Sequence, residues 1–143
     1  MNSLNKWDNR FLDLAIHVAS WSKDPSTQVG AVIVNEQRQV LSLGYNGFPR
    51  GVEDIDLRYQ DRAVKLKFVA HAERNALDNA FVDVRGSTLY STLCPCNDCA
   101  KGIVQKGIKR VVSFNPPKDK YEIFNIETSM TMFLEAGVDV LLV

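Results

Sequence analysis

The sequence HAERNALDNAFVDVRGSTLYSTLCPCNDC, residues 71–99, contains two possible helix starts separated by one helix, one turn and one strand. A helix of about ten residues that begins after His71 would extend ~15 Å at 1.5 Å per residue. A turn at Gly86-Ser87 and a strand over residues 88–92 would return ~16 Å at ~3.3 Å per residue. Pro95 suits the start of the second helix, because a helix start makes no use of the missing N–H group. The pattern therefore predicts that both helix starts lie at one point.

Side chains suited to a metal ion would meet at that point. Cys96 and Cys99 are three residues apart, so they are neighbours on one face of a helix. His71 and Glu73 are two apart, so they can share a site only if His71 precedes the helix and Glu73 lies in its first turn. One imidazole and two thiolates leave the fourth tetrahedral position of a zinc ion open for water. We expect a zinc ion there, with Glu73 beside it as an acid and base.

Other uses of the cysteines are possible in principle. A lone Cys-x-x-Cys pair also occurs as a redox pair or as half of a structural zinc site. A redox pair does not require the upstream His-Ala-Glu, and a structural site needs a fourth ligand that this chain cannot easily supply. Cys94 could be a third thiolate, but a packed residue at the end of a strand describes it better, since free cysteine is commonly buried.

Length and composition indicate one ordinary soluble domain. The chain has 143 residues, enough for a single sizeable core. Its 17 basic and 17 acidic residues cancel, which argues against tight binding to a long nucleic acid. No stretch approaches the ~20 apolar residues of a membrane span, and charges near the start interrupt any signal peptide. Cysteines with metal spacing indicate a reducing compartment. We expect a cytoplasmic protein that binds neither membrane nor long nucleic acid.

The rest of the chain alternates between helical and strand patterns. The predicted helices cover residues 7–21, 57–69, 96–106 and 127–136, and the predicted strands cover 29–34, 40–45, 110–114 and 139–143. The first two strands form a hairpin. Helices and strands alternate in the second half, which indicates parallel pairing with right-handed crossovers.

A glycine-rich loop and a basic helix stand between the hairpin and His71. Three glycines in residues 44–51 let the backbone turn sharply or approach a ligand closely, although a plain surface loop is equally compatible with them. The helix over residues 57–69 carries several cations, which form either a solvated face or a phosphate-binding patch.

The sequence resembles the cytidine-deaminase-like superfamily. It contains His71-Ala72-Glu73 and Pro95-Cys96-Asn97-Asp98-Cys99, the H-x-E and P-C-x-x-C signature of zinc-dependent nucleobase deaminases. Segments 22–31, 44–47 and 100–109 are similar to those of deoxycytidylate (dCMP) deaminases, and the resemblance covers residues 7–143. It implies an α/β fold: a three-layer α/β/α sandwich around a five-stranded mixed sheet, with zinc between two central helices.

The resemblance implies hydrolytic deamination of dCMP to dUMP and ammonia, which supplies dUMP for thymidylate synthesis. His71, Cys96 and Cys99 would hold zinc, and Glu73 would move protons. The residues implied at the substrate are Ser26, Thr27, Asn46, which would contact the deoxyribose, and Ala72. Lys118, Lys120 and Tyr121 lie either at the rim of the pocket or in a solvated loop. One alternative is a deaminase of another cytosine or adenine nucleoside, such as free cytidine or adenosine in transfer RNA. The other two are a nucleotide sensor without turnover and a structural zinc module.

Family members are typically hexamers that dCTP activates and dTTP inhibits near the subunit interfaces. The resemblance therefore implies a homo-hexamer, with Mg²⁺ accompanying the regulatory triphosphate. The candidate residues for that nucleotide are Asn46, Gly47, Arg50, Arg58 and Arg62. Some members carry a second, structural zinc, but Cys94 and His17 are the spare ligands here. We therefore expect one zinc per chain.

Overall fold

The computed structural model of this chain describes residues 4–143. Its helices are α1 (Lys6–Ala19), α2 (Asp56–Gln60), α3 (Arg62–Phe68), α4 (Ala72–Asn79), α5 (Asn97–Gln105) and α6 (Ile126–Glu135). Its strands are β1 (Gly30–Val34), β2 (Val40–Tyr45), β3 (Thr88–Ser91), β4 (Arg110–Ser113) and β5 (Asp139–Leu142). In this part of the chain no helix is long and apolar enough to cross a membrane.

The strands form one five-stranded mixed sheet in the order β2-β1-β3-β4-β5. β1 pairs antiparallel with both β2 and β3, and Ala31 of β1 lies opposite Ser91 of β3. β3, β4 and β5 are parallel, and α5 and α6 connect them. The predicted hairpin, the parallel second half and the five-stranded mixed sheet are therefore confirmed.

Helices cover both faces of the sheet, which confirms the three-layer α/β/α sandwich. On one face, Phe11, Leu12 and Ala15 of α1 pack against the sheet. On the other face, α4, α5 and α6 bury a larger apolar cluster that includes Ile103 and Phe133. All five residues of β1 are buried, because this central strand has a helical layer on each side.

Two glycines allow helices to lie directly on the sheet. A Cβ atom at Gly44 would stand 2.3 Å from the backbone nitrogen of Ala76 in α4. A Cβ atom at Gly30 would stand 2.0 Å from the carbonyl oxygen of Ala15 in α1. The sequence left a close approach to a ligand and a plain surface loop equally open for the glycines of residues 44–51, and Gly44 lets α4 approach β2. This contact holds the N-terminus of α4, where His71 stands, against the sheet.

The single helix predicted over residues 57–69 is wrong, because the chain forms α2 and α3 with a break at Asp61. The Asp61 backbone is extended (φ −91°, ψ 108°), and its carboxylate accepts hydrogen bonds from the N–H groups of Ala63 and Val64 at 3.0 and 3.3 Å. An aspartate in this position caps a new helix, so its side chain competes with continuation of the first one. The loop over 115–121 also contains one 3-10 turn, Lys118–Lys120.

Asp8 ties the first helix to the sheet. It closes a capping box with Asn5, and its side chain is 1% exposed. Arg110 donates two hydrogen bonds to the carboxylate at 2.8 and 2.9 Å, and the Tyr90 hydroxyl donates a third at 2.8 Å. Burial by itself would raise the pKa of Asp8, but these donors outweigh it and hold the pKa below its ordinary value. The network therefore fastens α1 to β3 and β4.

Candidate metal and catalytic site

The two helix starts meet, as the sequence predicts. His71 is the N-cap residue of α4 and Cys96 is the N-cap residue of α5, both with extended backbone. Cys99 lies in the first turn of α5. In the described part of the chain, neither N-cap side chain hydrogen-bonds to an N–H group of its own helix. Both side chains can therefore point towards each other instead of capping.

The three ligand atoms have separations that suit a tetrahedral zinc ion. The Nδ1 atom of His71 lies 3.4 Å from Sγ of Cys96 and 3.3 Å from Sγ of Cys99. All three ligand atoms lie within 4.8 Å of one another. Within residues 4–143, these are the side chains placed so that they could hold a metal ion together. Zinc bonds of 2.0–2.1 Å to nitrogen and 2.3 Å to sulfur would place these atoms ~3.5 Å apart. One imidazole and two thiols therefore fit zinc in both chemistry and spacing.

The two thiols differ in acidity. A hydrogen bond from Cys99, followed by one from His71, lowers the pKa of Cys96. The pKa of the Cys99 thiol is raised, mainly by its hydrogen bond with Cys96 and next by burial. The same contact with Cys96 raises the pKa of His71. The pair thus loses its first proton easily from Cys96, and binding of a metal ion would release the second.

Glu73 is a buried carboxyl group in the first turn of α4. It is 4% exposed, and burial raises the pKa of this carboxyl group although hydrogen bonding to Ser91 opposes the shift. Its position two residues after His71 places it in the same cavity as the imidazole and Cys96. A carboxyl group with a raised pKa is suited to accept and return protons near neutral pH.

Ser91 is a site residue that the sequence alone does not reveal. Its Oγ atom lies 2.7 Å from Oε1 of Glu73 and 2.8 Å from the carbonyl oxygen of Leu93. A hydroxyl group carries one proton, so it donates to one of these two acceptors at a time. Ser91 ends β3, and only the pairing of β3 with its neighbours places it beneath α4. The available signal was weak: a polar residue at the buried end of an apolar strand.

The cavity beside the metal ligands contains all the residues expected at the substrate. Ser26, Thr27, Asn46 and Ala72 line it together with His71. The Asn46 side chain also holds the cavity wall in place, because it accepts a hydrogen bond from the Val29 N–H at 2.8 Å and donates one to the Thr27 carbonyl at 2.8 Å.

Three cations line the same cavity: Arg62, Lys65 and Lys120. Lys65 is 5% exposed and forms an ion pair with Asp24, 7% exposed, at 3.2 Å. The Asp24 carboxylate also accepts hydrogen bonds from the N–H groups of Ser26 and Thr27. The sequence points to cations on this helix, but it does not predict that Asp24 meets Lys65, because the two are 41 positions apart.

Two of the five residues expected at a regulatory nucleotide line this cavity, and the other three lie outside it. Asn46 and Arg62 line the cavity, whereas Gly47, Arg50 and Arg58 do not. Arg50 donates to the side chain of Asn79 at 3.3 Å. The Arg58 guanidinium lies 4.4 Å from the centre of the Phe68 ring.

The loop residues expected at the rim also separate. Lys120 lines the cavity, whereas Lys118 and Tyr121 line a shallow pocket beside Asn115 and Pro116. Only Lys120 of the three therefore stands where it can reach a ligand beside His71.

Cys94 is a buried thiol that lines the cavity without joining the ligand group. It is 2% exposed, and burial raises the pKa of the thiol to about 12. It is therefore protonated at neutral pH and packs at the end of the strand, as expected.

The chain matches the family described as the cytidine and deoxycytidylate deaminase zinc-binding region over residues 5–115. An uncharacterized deaminase in the luxG 3′ region of Aliivibrio fischeri is 42% identical over 139 residues, 96% of this chain and 93% of that protein. Deoxycytidylate deaminase of Homo sapiens is 41% identical over 140 residues, 93% of this chain and 77% of that protein. The crystal structure of dCMP deaminase from the cyanophage S-TIM5 in complex with dCMP and dUMP has a TM-score of 0.77 and 26% identity, and the match covers 99% of this chain and 100% of that one. The family match includes the whole ligand-bearing stretch, residues 71–99.

Proposed function

This chain belongs to the cytidine and deoxycytidylate deaminase family, and we propose that it is an enzyme that hydrolyses dCMP to dUMP and ammonia. One observation carries the proposal. His71, Cys96 and Cys99 bring their ligand atoms within 4.8 Å of one another, and the buried Glu73 faces the same cavity. Deoxycytidylate deaminase of Homo sapiens, at 41% identity, supports dCMP as the substrate.

His71, Cys96 and Cys99 would hold one zinc ion per chain. When bound, zinc would lower the pKa of a coordinated water, so that a nucleophile is available near neutral pH. Both helix N-termini point at this place, and their partial positive charges would stabilise the negative charge that develops there. The chain's own contribution is thus a fixed ligand set at the meeting point of α4 and α5.

Glu73 would carry the protons of the reaction. Its carboxylate would take a proton from the attacking water and deliver it to N3 of the cytosine ring, which makes C4 electrophilic. It would then take the remaining proton from the hydroxyl group now on C4 and pass it to the amino group, as the C4–N bond breaks, the C4 carbonyl forms and ammonia leaves. Burial helps both steps, because it raises the pKa of this carboxyl group and so makes it a better proton acceptor.

The test is to measure ammonia release from dCMP, deoxycytidine, cytidine and transfer RNA side by side. We expect turnover with dCMP, and we expect Glu73→Gln to lower kcat by at least ~10²-fold while the zinc content stays the same. Glu127→Gln is the matched control, because Glu127 also lies in the first turn of a helix but is exposed. A Glu73→Gln protein with zinc and near wild-type turnover would refute the role of Glu73.

The same assay separates the alternatives. Zero net charge disfavours RNA as substrate, because contacts to many phosphates require a basic surface. A nucleotide sensor would bind dCMP without releasing ammonia, but binding alone does not require a buried acid beside a metal site. A structural zinc module would neither bind nor convert any of the four compounds.

Activation by dCTP, inhibition by dTTP, a companion Mg²⁺ and assembly into hexamers are further parts of the proposal, and they rest on the family resemblance. Rates measured against dCMP concentration, with each nucleotide and with or without Mg²⁺, test the regulation. Curves that neither dCTP nor dTTP changes would remove it without affecting the chemistry. Sedimentation of the purified protein tests the assembly.

A further inference from the structure

His71 begins α4 in an unusual way for an N-cap residue. An N-cap side chain normally accepts a hydrogen bond from an N–H group of its own helix, and this bond fixes how the chain enters the helix. Within the residues that the structure describes, His71 makes no such bond, and its imidazole instead faces the thiols of Cys96 and Cys99 at 3.4 and 3.3 Å. The residue is also exposed, so packing does not hold it in place. Other contacts must therefore fix the chain at His71.

The residue before His71 is fixed by hydrogen bonds to its backbone. The Ala70 N–H donates to the carbonyl oxygen of Gly47 at 2.8 Å, and the Gly47 N–H donates to the carbonyl oxygen of Ala70 at 3.1 Å. The side-chain amide of Asn75 donates a third hydrogen bond to the same Ala70 carbonyl at 3.4 Å. The chain that leads into His71 is therefore held by Gly47 and by a side chain of α4.

Asn75 makes this contact from the turn that follows His71. Its backbone N–H donates to the His71 carbonyl at 2.9 Å, as in a regular helix. Its Nδ2 atom also donates to the carbonyl oxygen of Tyr45, at the end of β2, at 2.8 Å. A side-chain amide has two N–H donors, so this one atom can serve both Tyr45 and Ala70. One side chain thus joins the end of β2, the residue before His71 and the start of α4.

The substrate cavity does not account for the position of Asn75. His71 and Glu73 line that cavity, whereas Asn75 does not. A change at Asn75 would therefore reach the site through the residues it holds, of which the nearest in the chain to a metal ligand is Ala70.

Asn79 makes the same kind of contact elsewhere on α4. It lies one turn after Asn75, and its Nδ2 atom donates to the carbonyl oxygen of Leu43 on β2 at 3.2 Å. Its Oδ1 atom accepts a hydrogen bond from Arg50 at 3.3 Å. Over residues 4–143, neither of these hydrogen bonds reaches Ala70 or His71. Asn79 therefore ties α4 to β2 without holding the metal ligand.

We propose that Asn75 is a positioning residue for the metal ligand His71. By holding Ala70 beside the end of β2, it places the imidazole where it meets the two thiols. Ligand side chains must be held within about 0.5 Å of the productive geometry, and hydrogen bonds from residues around the ligands provide this restraint. Removal of such a supporting group lowers metal affinity about 10- to 100-fold. This inference rests on the proposed function, because it names the residue that supports one ligand of the proposed zinc site.

The experiment measures the zinc dissociation constant of the purified protein by competition with a chelator. We expect Asn75→Ala to bind zinc about tenfold more weakly than the wild type. Asn79→Ala is the matched control, because it also removes two hydrogen bonds of an α4 side chain. It should leave the dissociation constant unchanged. Equal zinc affinities of the two variants would overturn the inference.

A second pair of variants keeps the test valid if Asn75→Ala does not fold. Asn75→Leu and Asn79→Leu remove the same amide groups, keep a similar side-chain volume and introduce a residue that favours helix more than asparagine does. Thermal unfolding without zinc reports whether each variant folds. Asn75→Leu should again bind zinc about tenfold more weakly, and Asn79→Leu should bind it as tightly as the wild type.

A double-mutant cycle with His71→Ala tests whether Asn75 acts through His71. Cys96 and Cys99 remain as ligands in that background, so that weaker zinc binding can still be measured. Asn75→Ala should cause no further loss of zinc affinity once the imidazole is absent, because two changes to one interaction are not additive. The same loss in both backgrounds would mean that Asn75 supports α4 in general and not His71, and would overturn the inference.

Zinc binding and ammonia release separate this inference from the proposed function. Suppose the wild type binds zinc, Asn75→Ala binds it more weakly and neither releases ammonia from dCMP: the proposed function then fails and the inference stands. If the wild type releases ammonia but no Asn75 variant changes the zinc affinity, the inference fails alone. A wild-type protein that binds no zinc would overturn both.

Discussion

Replacing Asp8 with alanine should destabilise the fold more than replacing the other aspartate of α1. The variant leaves Arg110 without its two hydrogen bonds and Tyr90 without its acceptor. It also removes the capping box with Asn5. Breaking a buried ion pair by removing one partner costs about 3–5 kcal/mol. The Arg110 side chain is 22% exposed and can reach water in part, so we expect the lower end, about 3 kcal/mol.

The free energy of unfolding from urea titrations at pH 7 measures this effect. Asp13→Ala is the matched control, because Asp13 lies on the same helix and is exposed. It should change the free energy by less than about 0.5 kcal/mol. A loss below about 1 kcal/mol for Asp8→Ala would refute the assigned role, because even one cap and one charged hydrogen bond exceed that value together.

The pH dependence gives an independent check on Asp8. The folded-state pKa of Asp8 lies below the ordinary value of 3.8, because the hydrogen bonds from Arg110, Tyr90 and Asn5 outweigh burial. The ionised form is therefore favoured in the folded protein, so its contribution is fully present above the unfolded pKa and is lost as the pH falls through the folded pKa. Urea titrations between pH 7 and pH 3 should show a smaller loss of stability for Asp8→Asn than for the wild type. Equal losses would mean that Asp8 does not contribute to the acid sensitivity.

Three shorter predictions concern the site and its support. Ser91→Ala should lower kcat about tenfold without loss of zinc, because the Glu73 carboxylate loses its hydrogen bond. Ser113 lies opposite Ser91 on β4, and the control variant Ser113→Ala should leave kcat unchanged. Cys94→Ala should keep one zinc per chain by atomic absorption, and a halved zinc content would make Cys94 a ligand. Gly44→Ala should cost several kcal/mol in urea unfolding, on the order of 3, because its Cβ atom would overlap the Ala76 backbone; a change below about 1 kcal/mol would show that α4 shifts freely.

Much of the site follows from spacing within a short stretch. The pattern of residues 71–99 predicts that His71, Cys96 and Cys99 are metal ligands, and a helix, a turn and a strand of matched length bring them together. Helix and strand positions follow equally well, since the periodicity of apolar residues is a local property of the chain. The sequence did not predict the break at Asp61, because the helical pattern of residues 57–69 continues through this residue and gives no sign that the aspartate caps a new helix.

Contacts between distant segments required the tertiary structure. Ser91 meets Glu73 only because β3 lies beneath α4, and Asp8 meets Arg110 across 102 positions of the chain. Asp24 becomes the partner of Lys65 in the same way. No spacing rule connects such pairs, because strand order and helix packing set which side chains become neighbours. The amino-acid sequence alone therefore predicted the class of fold, the three residues proposed as metal ligands and the acid proposed beside them. The tertiary structure decided which residues support that acid and where the cavity carries its positive charge.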